Sequence, residues 1–231
     1  MIAIISDIHG NLPALNAVLY AIDELGCQKI ISLGDITGYY SHPHECVDKL
    51  RHRNALQLLG NHDYYIVSGT ACPRSTLVSD LIKYQRKVIT EEQKALFSTF
   101  SSQLNIGDMS MVHGGWNDPL DEYLYEVSEH DLVGNNKYFF SGHTHVQTLF
   151  LFQDKIYCNP GSVGQPRDGD PRAAFAIFDG GRVVLHRVEY DIDETVKLMK
   201  SVGFTDRKLW DNLYVGSQIG GRIDKVIIRI T

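Results

Sequence analysis

Within the first sixty residues a short apolar run followed by an amphipathic stretch occurs twice, and a third apolar run closes the series. That alternation is the mark of βαβ units, and it commits the chain to a parallel sheet with helices packed on it. "IAIIS" (2–6), "KIISL" (29–33) and "ALQLL" (55–59) read as buried strands. Between the first two, Asn11 has the chemistry of a helix N-cap and Pro13 sits in the first turn. Leu12, Leu15, Leu19 and Ile22 form the apolar stripe that ends at Gly26. "HECVDKLRHR" (44–53) repeats the helical step after the loop "GDITGYYSHP".

Farther along, residues 76 to about 104 read as amphipathic helix, "MSMV" (109–112) as a strand, "LDEYLYEVSEHDLV" (120–133) as a helix and "KYFFS" (137–141) as another strand. "TLFLF", "KIYC", "AAFAIF" and "RVVLHRVEY" are short, alternating and joined by Gly, Asp and Asn turns, which predicts an antiparallel sheet for this half. Helical pattern returns at "DETVKLMKSV" and "DRKLWDNLY", and "KVIIRI" (225–230) reads as a last edge strand open to pairing. There is no repeat and no linker rich in Pro, Gly or Ser. The expectation is one α/β domain over 1–231, with 191–231 as a helical C-terminal appendage.

Composition narrows the partners. With 22 basic against 28 acidic side chains the net charge is -6, so a long nucleic acid is disfavoured. Bound cations would neutralise local carboxylates and let a phosphorylated substrate approach. Cys27, Cys46, Cys72 and Cys158 are scattered, as ordinary thiols of a reduced protein are. The N-terminus "MIAIISDIHGN" lacks the features of a secretory signal, and no stretch reaches membrane-spanning length. A cytoplasmic protein with no membrane partner is expected.

The chemistry sits just past the strands. Asp7 and His9 follow the first, Asp35 the second, and Asn61, His62 and Asp63 the third; His113 follows "MSMV", and His143 and His145 follow "KYFFS". Ligands of open α/β sheets bind outside the carboxyl ends of the strands, so the five clusters are expected to converge. Imidazoles with two carboxylates and an amide oxygen suit Mn, Fe, Zn, Ni or Co, and the absence of a thiolate argues against structural zinc. Seven candidate ligands exceed the need of one tetrahedral ion, whereas two ions sharing a carboxylate would use them all. His42, His44, His52, His130 and His186 lack such company and read as solvated or locally hydrogen-bonded.

"SDIHGN", "GDITG", "GNHD", "HGG" and "GHTH", in this order, resemble the five signature blocks of the calcineurin-like metallophosphoesterase superfamily. With "NPGSVGQPRDGDPRAAFAIFD" the likeness extends toward Asp179 and is similar to the small bacterial and archaeal phosphoesterases described as diadenosine-tetraphosphatase-like or phosphodiesterase-like. The resemblance implies a four-layer αββα sandwich of two mixed β-sheets flanked by helices. It also implies one ion on Asp7, His9 and His145, a second on Asn61, His113 and His143, and Asp35 bridging them. His62 is then the catalytic side chain, a general acid or a cation facing the phosphate, and hydroxide held between two ions attacks phosphorus.

Two positions depart from the blocks of the protein phosphatases and symmetrical dinucleoside tetraphosphatases. Tyr39 stands where those have a phosphate-gripping Arg, and Gly38 where the protein phosphatases have an acid that orients the catalytic His. Asp63 is the remaining candidate for orienting His62. Arg167 is the expected replacement phosphate clamp, with Tyr39 beside it as a substrate-binding residue, whereas Arg172 reads as a surface ion pair. Asn159 and Ser162 are expected to hold the "GHTH" loop. Tyr39, Tyr40, Tyr64, Tyr65, Tyr123, Tyr125 and Trp116 flank three of the loops, and as a set they favour a nucleotide-like or aryl substrate. The expected activity is hydrolysis of small phosphomonoesters or phosphodiesters, nucleotides among them. A dinucleoside polyphosphate hydrolase and a non-catalytic scaffold on the same fold are the alternatives.

Overall fold

The computed structural model describes residues 1–73 and 75–229. β1 (Ile2–Ile5), β2 (Lys29–Ser32) and β3 (Leu56–Gln57) pair in parallel, as the opening alternation requires. α1 (Leu12–Glu24) starts where the Asn11 side chain accepts from the Ala14 N–H, and it buries Ala14, Leu15, Val18, Leu19 and Ile22 on one face. α2 (Pro43–His52) follows β2, with Pro43 at its start.

The long helix expected over 76–104 is divided. α3 (Asn61–Ser68) precedes it, then α4 (Thr76–Val88) and α5 (Glu91–Phe97) form separately. Thr90 begins a new helix: its hydroxyl accepts from the Gln93 N–H while the Gln93 side chain accepts from the Thr90 N–H. Residues 103–106 are strand β4 (Gln103–Ile106), which turns through Gly107 into the antiparallel β5 (Met109–Val112). Only partner pairing reveals β4, because its side chains are largely exposed.

The helix expected over 120–133 does not form. Tyr123 and Tyr125 stack with ring planes 2° apart, the two-residue spacing of extended chain. The short strand β6 (Glu126–Val127) and a 3-10 turn over Glu129–Asp131 follow.

β7 (Tyr138–Phe140), β8 (Thr148–Leu151) and β9 (Ile156–Asn159) complete the second sheet, in the order β4-β5-β7-β9-β8. Its three central strands are parallel and its edges antiparallel. β10 (Ala173–Asp179) and β11 (Arg182–Val188) cross to the first sheet, in the order β11-β10-β1-β2-β3. The antiparallel sheet expected for this half is therefore two hairpins in different sheets, each locally correct and separated by tertiary pairing.

Side-chain alternation builds three apolar interfaces. Ala3, Ile5, Ile30 and Phe175 face the helices, while Ile4, Ile31, Met111, Phe140 and Cys158 meet between the sheets. Phe139 and Tyr157, on the far side of the second sheet, are covered by Trp116, Leu124, Val127 and Leu132. The fold is thus a layered sandwich of two five-stranded mixed sheets.

α6 (Ile192–Ser201) is capped by Asp191, and "DRKLWDNLY" forms two 3-10 turns that bury Leu209 and Leu213. β12 (Ile227–Ile228), the expected edge strand, pairs in parallel with β6, and Ile230 lies outside the described residues. Among the described residues no helix is long and apolar enough to cross a membrane.

Candidate metal centre

Each parallel strand delivers its polar residues to one edge of the sandwich. Five of the seven expected ligands, Asp7, His9, Asp35, His143 and His145, have positive φ, between 54° and 65°. Left-handed backbone is uncommon for residues with a Cβ, and it turns each strand end sharply enough to aim a side chain back into the site. The loops interlock: the Asp7 and His9 N–H groups donate to the Gly34 and Asp35 carbonyls, and the His143 N–H donates to Asp7 Oδ2 at 3.0 Å.

Asp7, His9 and His145 form one buried cluster and Asp35, His113 and His143 another; His9, Asp35 and His62 lie between them. Within the first, His145 Nε2 lies 3.2 Å from Asp7 Oδ1 and 3.0 Å from His9 Nε2. In the second, His113 Nε2 lies 3.4 Å from Asp35 Oδ2 and 3.1 Å from Asn61 Oδ1. His9 Nε2 stands 3.8 Å from Asp35 Oδ2, so this carboxylate faces both clusters.

The outer nitrogens fix which atom points inward. His9 Nδ1 donates to the Thr37 carbonyl (2.8 Å), His113 Nδ1 to the Leu33 carbonyl (3.0 Å) and His145 Nδ1 to the Gln165 carbonyl (2.7 Å). A carbonyl only accepts, so each Nδ1 carries hydrogen and, in the neutral ring, Nε2 offers its lone pair. His143 is supported differently: its ring stacks on Tyr123 with centroids 3.8 Å apart. Asp121 Oδ1 lies 3.6 Å from His143 Nε2. Sequence reasoning missed Gln165, Asp121 and the Tyr123 support; the spacing of Tyr123 and Tyr125 was the available signal for the last.

Asp7 Oδ1, Asp35 Oδ2 and His143 Nε2 are buried and accept or donate no hydrogen bond among the described residues. Two imidazole lone pairs facing each other at 3.0 Å repel. A site that gathers such atoms away from water fits divalent cations. Asn159 and Ser162 secure the surrounding loops. Asn159 Nδ2 donates to the Gly142 carbonyl (2.7 Å) and Thr144 Oγ1 (3.0 Å), and Ser162 Oγ donates to the Asp7 carbonyl (2.7 Å).

Charges follow the geometry. Burial alone would raise the Asp35 and Asp7 carboxyls, but His113 beside the first and His145 beside the second hold both well below the ordinary carboxylate range. Burial would lower His113, yet the Asp35 carboxylate outweighs it and lifts the imidazole to about 9. Burial pulls His9 and His143 well below the usual histidine value, and burial with Arg167 lowers His145.

His62 lines the cavity beside the clusters, its Nε2 4.0 Å from Asp35 Oδ2. Burial draws it down to about 4, so the ring is neutral near pH 7, and its buried Nδ1 has no partner among the described residues. Asp63 does not orient it. That carboxylate accepts from the Thr37 N–H and hydroxyl (both 2.9 Å) and, more weakly, from the Ile36 and Gly60 N–H groups (both 3.3 Å). Burial, then the charge of Asp35, pushes Asp63 up to about 7. Gly38 faces His62: a Cβ there would fall 2.9 Å from His62 Nδ1 and overlap His9 Nδ1.

Arg167 is 5% exposed and donates from Nη2 to Tyr39 Oη at 3.0 Å and to Gln165 Oε1 at 2.8 Å. No carboxylate pairs with it among the described residues. Tyr39, the residue in place of a family Arg, thus holds an Arg that arrives from another loop. Arg172 pairs with Asp170 at 2.7 Å on the surface, as expected. Of the aromatic set, Tyr39, Tyr123 and Tyr125 line a cavity of about 500 Å³ with Asn61, His62 and Arg167. Tyr40 is buried in the core, Tyr64 is exposed, and Trp116 packs on Phe139 while donating to Ser110 Oγ.

Residues 1–181 match the calcineurin-like phosphoesterase superfamily domain. An uncharacterized protein of Methanocaldococcus jannaschii is 37% identical over 225 residues, which cover 87% of this chain and 93% of that one. Phosphodiesterase YfcE of Escherichia coli is 24% identical over 184 residues, 75% of this chain and 84% of that one. The crystal structure of a metallophosphoesterase from Sphaerobacter thermophilus superposes with a TM-score of 0.81 at 33% identity, covering 93% of this chain and 99% of that one. Together with the five strand-end clusters, these matches establish that the chain belongs to the calcineurin-like phosphoesterase superfamily.

Proposed function

We propose that this protein hydrolyses small phosphomonoesters or phosphodiesters, nucleotides among them, at a centre for two divalent transition-metal ions. The carrying observation is the cluster of buried, mutually facing ligand atoms, of which Asp7 Oδ1, Asp35 Oδ2 and His143 Nε2 have no hydrogen-bond partner among the described residues. Asp7, His9 and His145 would hold one ion and Asn61, His113 and His143 the other, with Asp35 reaching both. The likeness to a phosphodiesterase supports a phosphorylated substrate of small size. Divalent ions, when bound, lower the pKa of water and neutralise charge on phosphate oxygens.

The remaining residues give that chemistry direction. Arg167 presents guanidinium hydrogens into the cavity, where a phosphate oxygen is the complementary acceptor. Tyr39 keeps this guanidinium in place by accepting from it. His62, neutral when no anion is near, offers one ring N–H to the departing oxygen and gains basicity as a phosphate dianion approaches. Burial of the ligands keeps bulk water from competing for these contacts.

The test is direct. Manganese-reconstituted protein is expected to hold two ions per chain by elemental analysis and to turn over an aryl phosphate, an aryl phosphodiester or a cyclic nucleotide. Turnover of a dinucleoside tetraphosphate alone would transfer the assignment to polyphosphate hydrolysis. Less than one ion per chain after reconstitution would favour the scaffold.

A further inference from the structure

The far wall of the cavity comes from the end of the chain. Gln218, Ile219 and Arg222 line it together with Asn61 and His62. These residues lie beyond position 181, where the family match stops. It is held firmly against the site. The 94%-buried Asp224 accepts from Gln218 Nε2 (2.5 Å), Arg222 Nε (2.8 Å) and Tyr125 Oη (3.3 Å). Its N–H donates to the Arg167 carbonyl at 2.7 Å, and the Gly169 N–H donates to the Gly216 carbonyl at 2.8 Å. Asp224 therefore ties the terminal segment to the aromatic wall through its carboxylate and to the strand-end loop that carries Arg167 through its N–H.

The lining chemistry is selective. Among its described residues it has two guanidinium groups, Arg167 deep and Arg222 at the mouth, and no carboxylate, in a protein of net charge -6. Tyr39, Tyr123 and Tyr125 give the lining its aromatic part, with Tyr123 packed between His143 and Tyr125, and Val78 and Ile219 add apolar surface. Only Nε of Arg222 is bonded to Asp224, which leaves its two terminal NH2 groups toward solvent at the mouth, where the side chain is 67% exposed. A cavity of about 500 Å³ is far larger than one phosphate needs.

We propose that residues 216–224 form the substrate-selecting wall, and that Arg222 binds a second anionic group on a phosphoester that also carries a flat ring, as a bisphosphorylated nucleoside does. This inference rests on the phosphoesterase reading of the same site. The scissile phosphate sits by Arg167 and the metal ligands, the ring lies in the aromatic part of the cavity, and the second charge meets Arg222.

A matched pair of substrates tests it in the full-length, manganese-loaded protein: the 4-nitrophenyl ester of thymidine 5′-phosphate, with and without a 3′-phosphate. In the wild type the kcat/KM ratio should favour the 3′-phosphorylated ester. Arg222→Ala should reduce that ratio about tenfold, the worth of one charge-assisted hydrogen bond. Arg222→Glu should reduce it further, and Arg222→Lys should restore part of it. A ratio unchanged in Arg222→Ala and Arg222→Glu, with unchanged melting temperature, overturns the proposal. If the wild type hydrolyses neither ester, the aryl phosphate and cyclic nucleotide assays judge the phosphoesterase reading, and calorimetry decides the inference. Thymidine 3′,5′-bisphosphate should then bind the wild type about tenfold more tightly than Arg222→Ala, and equal affinities reject the site.

Discussion

At the residue scale the centre is defined by imidazole, carboxylate and amide atoms buried against one another. In the metal-free chain His113 carries a proton near neutrality, because Asp35 raises its pKa to about 9. A ligating imidazole is neutral, so ion binding at pH 7.5 should release about one proton per chain from His113. Calorimetry in buffers of different ionisation enthalpy measures it, and His113→Asn should abolish the release. His62→Gln should lower kcat about 100-fold or more while leaving metal content unchanged, since a positioned proton donor contributes roughly that much. Loss of both ions instead would make His62 a ligand. Arg167→Met should weaken inhibition by inorganic phosphate about 10- to 100-fold, the worth of charge-assisted hydrogen bonds to a phosphate. The seven candidate ligands were legible in the sequence because each lies just past an apolar run. The stacking of Tyr123 on His143 was not, because the two stand 20 positions apart and only the fold brings them together.

At the element scale the loops matter more than the strands that precede them. "GNHD" reads locally as a turn, yet Asn61 opens α3 with Gly60 as its N-cap residue. Asp63 then accepts from that cap and from Ile36 and Thr37, locking the second and third strand-end loops together. Asp63→Ala strands several buried donors and should cost about 2–4 kcal/mol in urea unfolding. Asp63→Asn, which keeps one acceptor, should cost less. Gly38 has φ of 141°, and a Cβ there overlaps His9. Gly38→Ala should leave a folded chain with reduced metal content, a result that elemental analysis together with far-UV circular dichroism would show. The errors of sequence reading also belong to this scale. β4 and the 120–133 segment have patterns that fit a helix in isolation; the hairpin with β5 decides the first, and a strand partner about 100 positions away decides the second.

At the scale of the whole molecule, the site ties together both sheets: β1, β2 and β3 supply one part of the ligand set, β5 and β7 the other. Ions bound across that seam would stabilise the sandwich as a unit. Manganese at 100 times its dissociation constant should raise the melting temperature of chelator-treated protein by about 5–10 °C, and Asp35→Ala should remove most of that gain. By itself the sequence determined the parallel strands, the candidate metal-ligating side chains and the family, because these are written in contiguous segments whose periodicity and composition are local. Tertiary structure alone decided that two hairpins part into separate sheets, that Asp63 serves the backbone rather than His62, and that the terminal segment walls the cavity. Each of these depends on contacts between residues tens of positions apart, and pairing across such distances is settled by the packing of the whole chain.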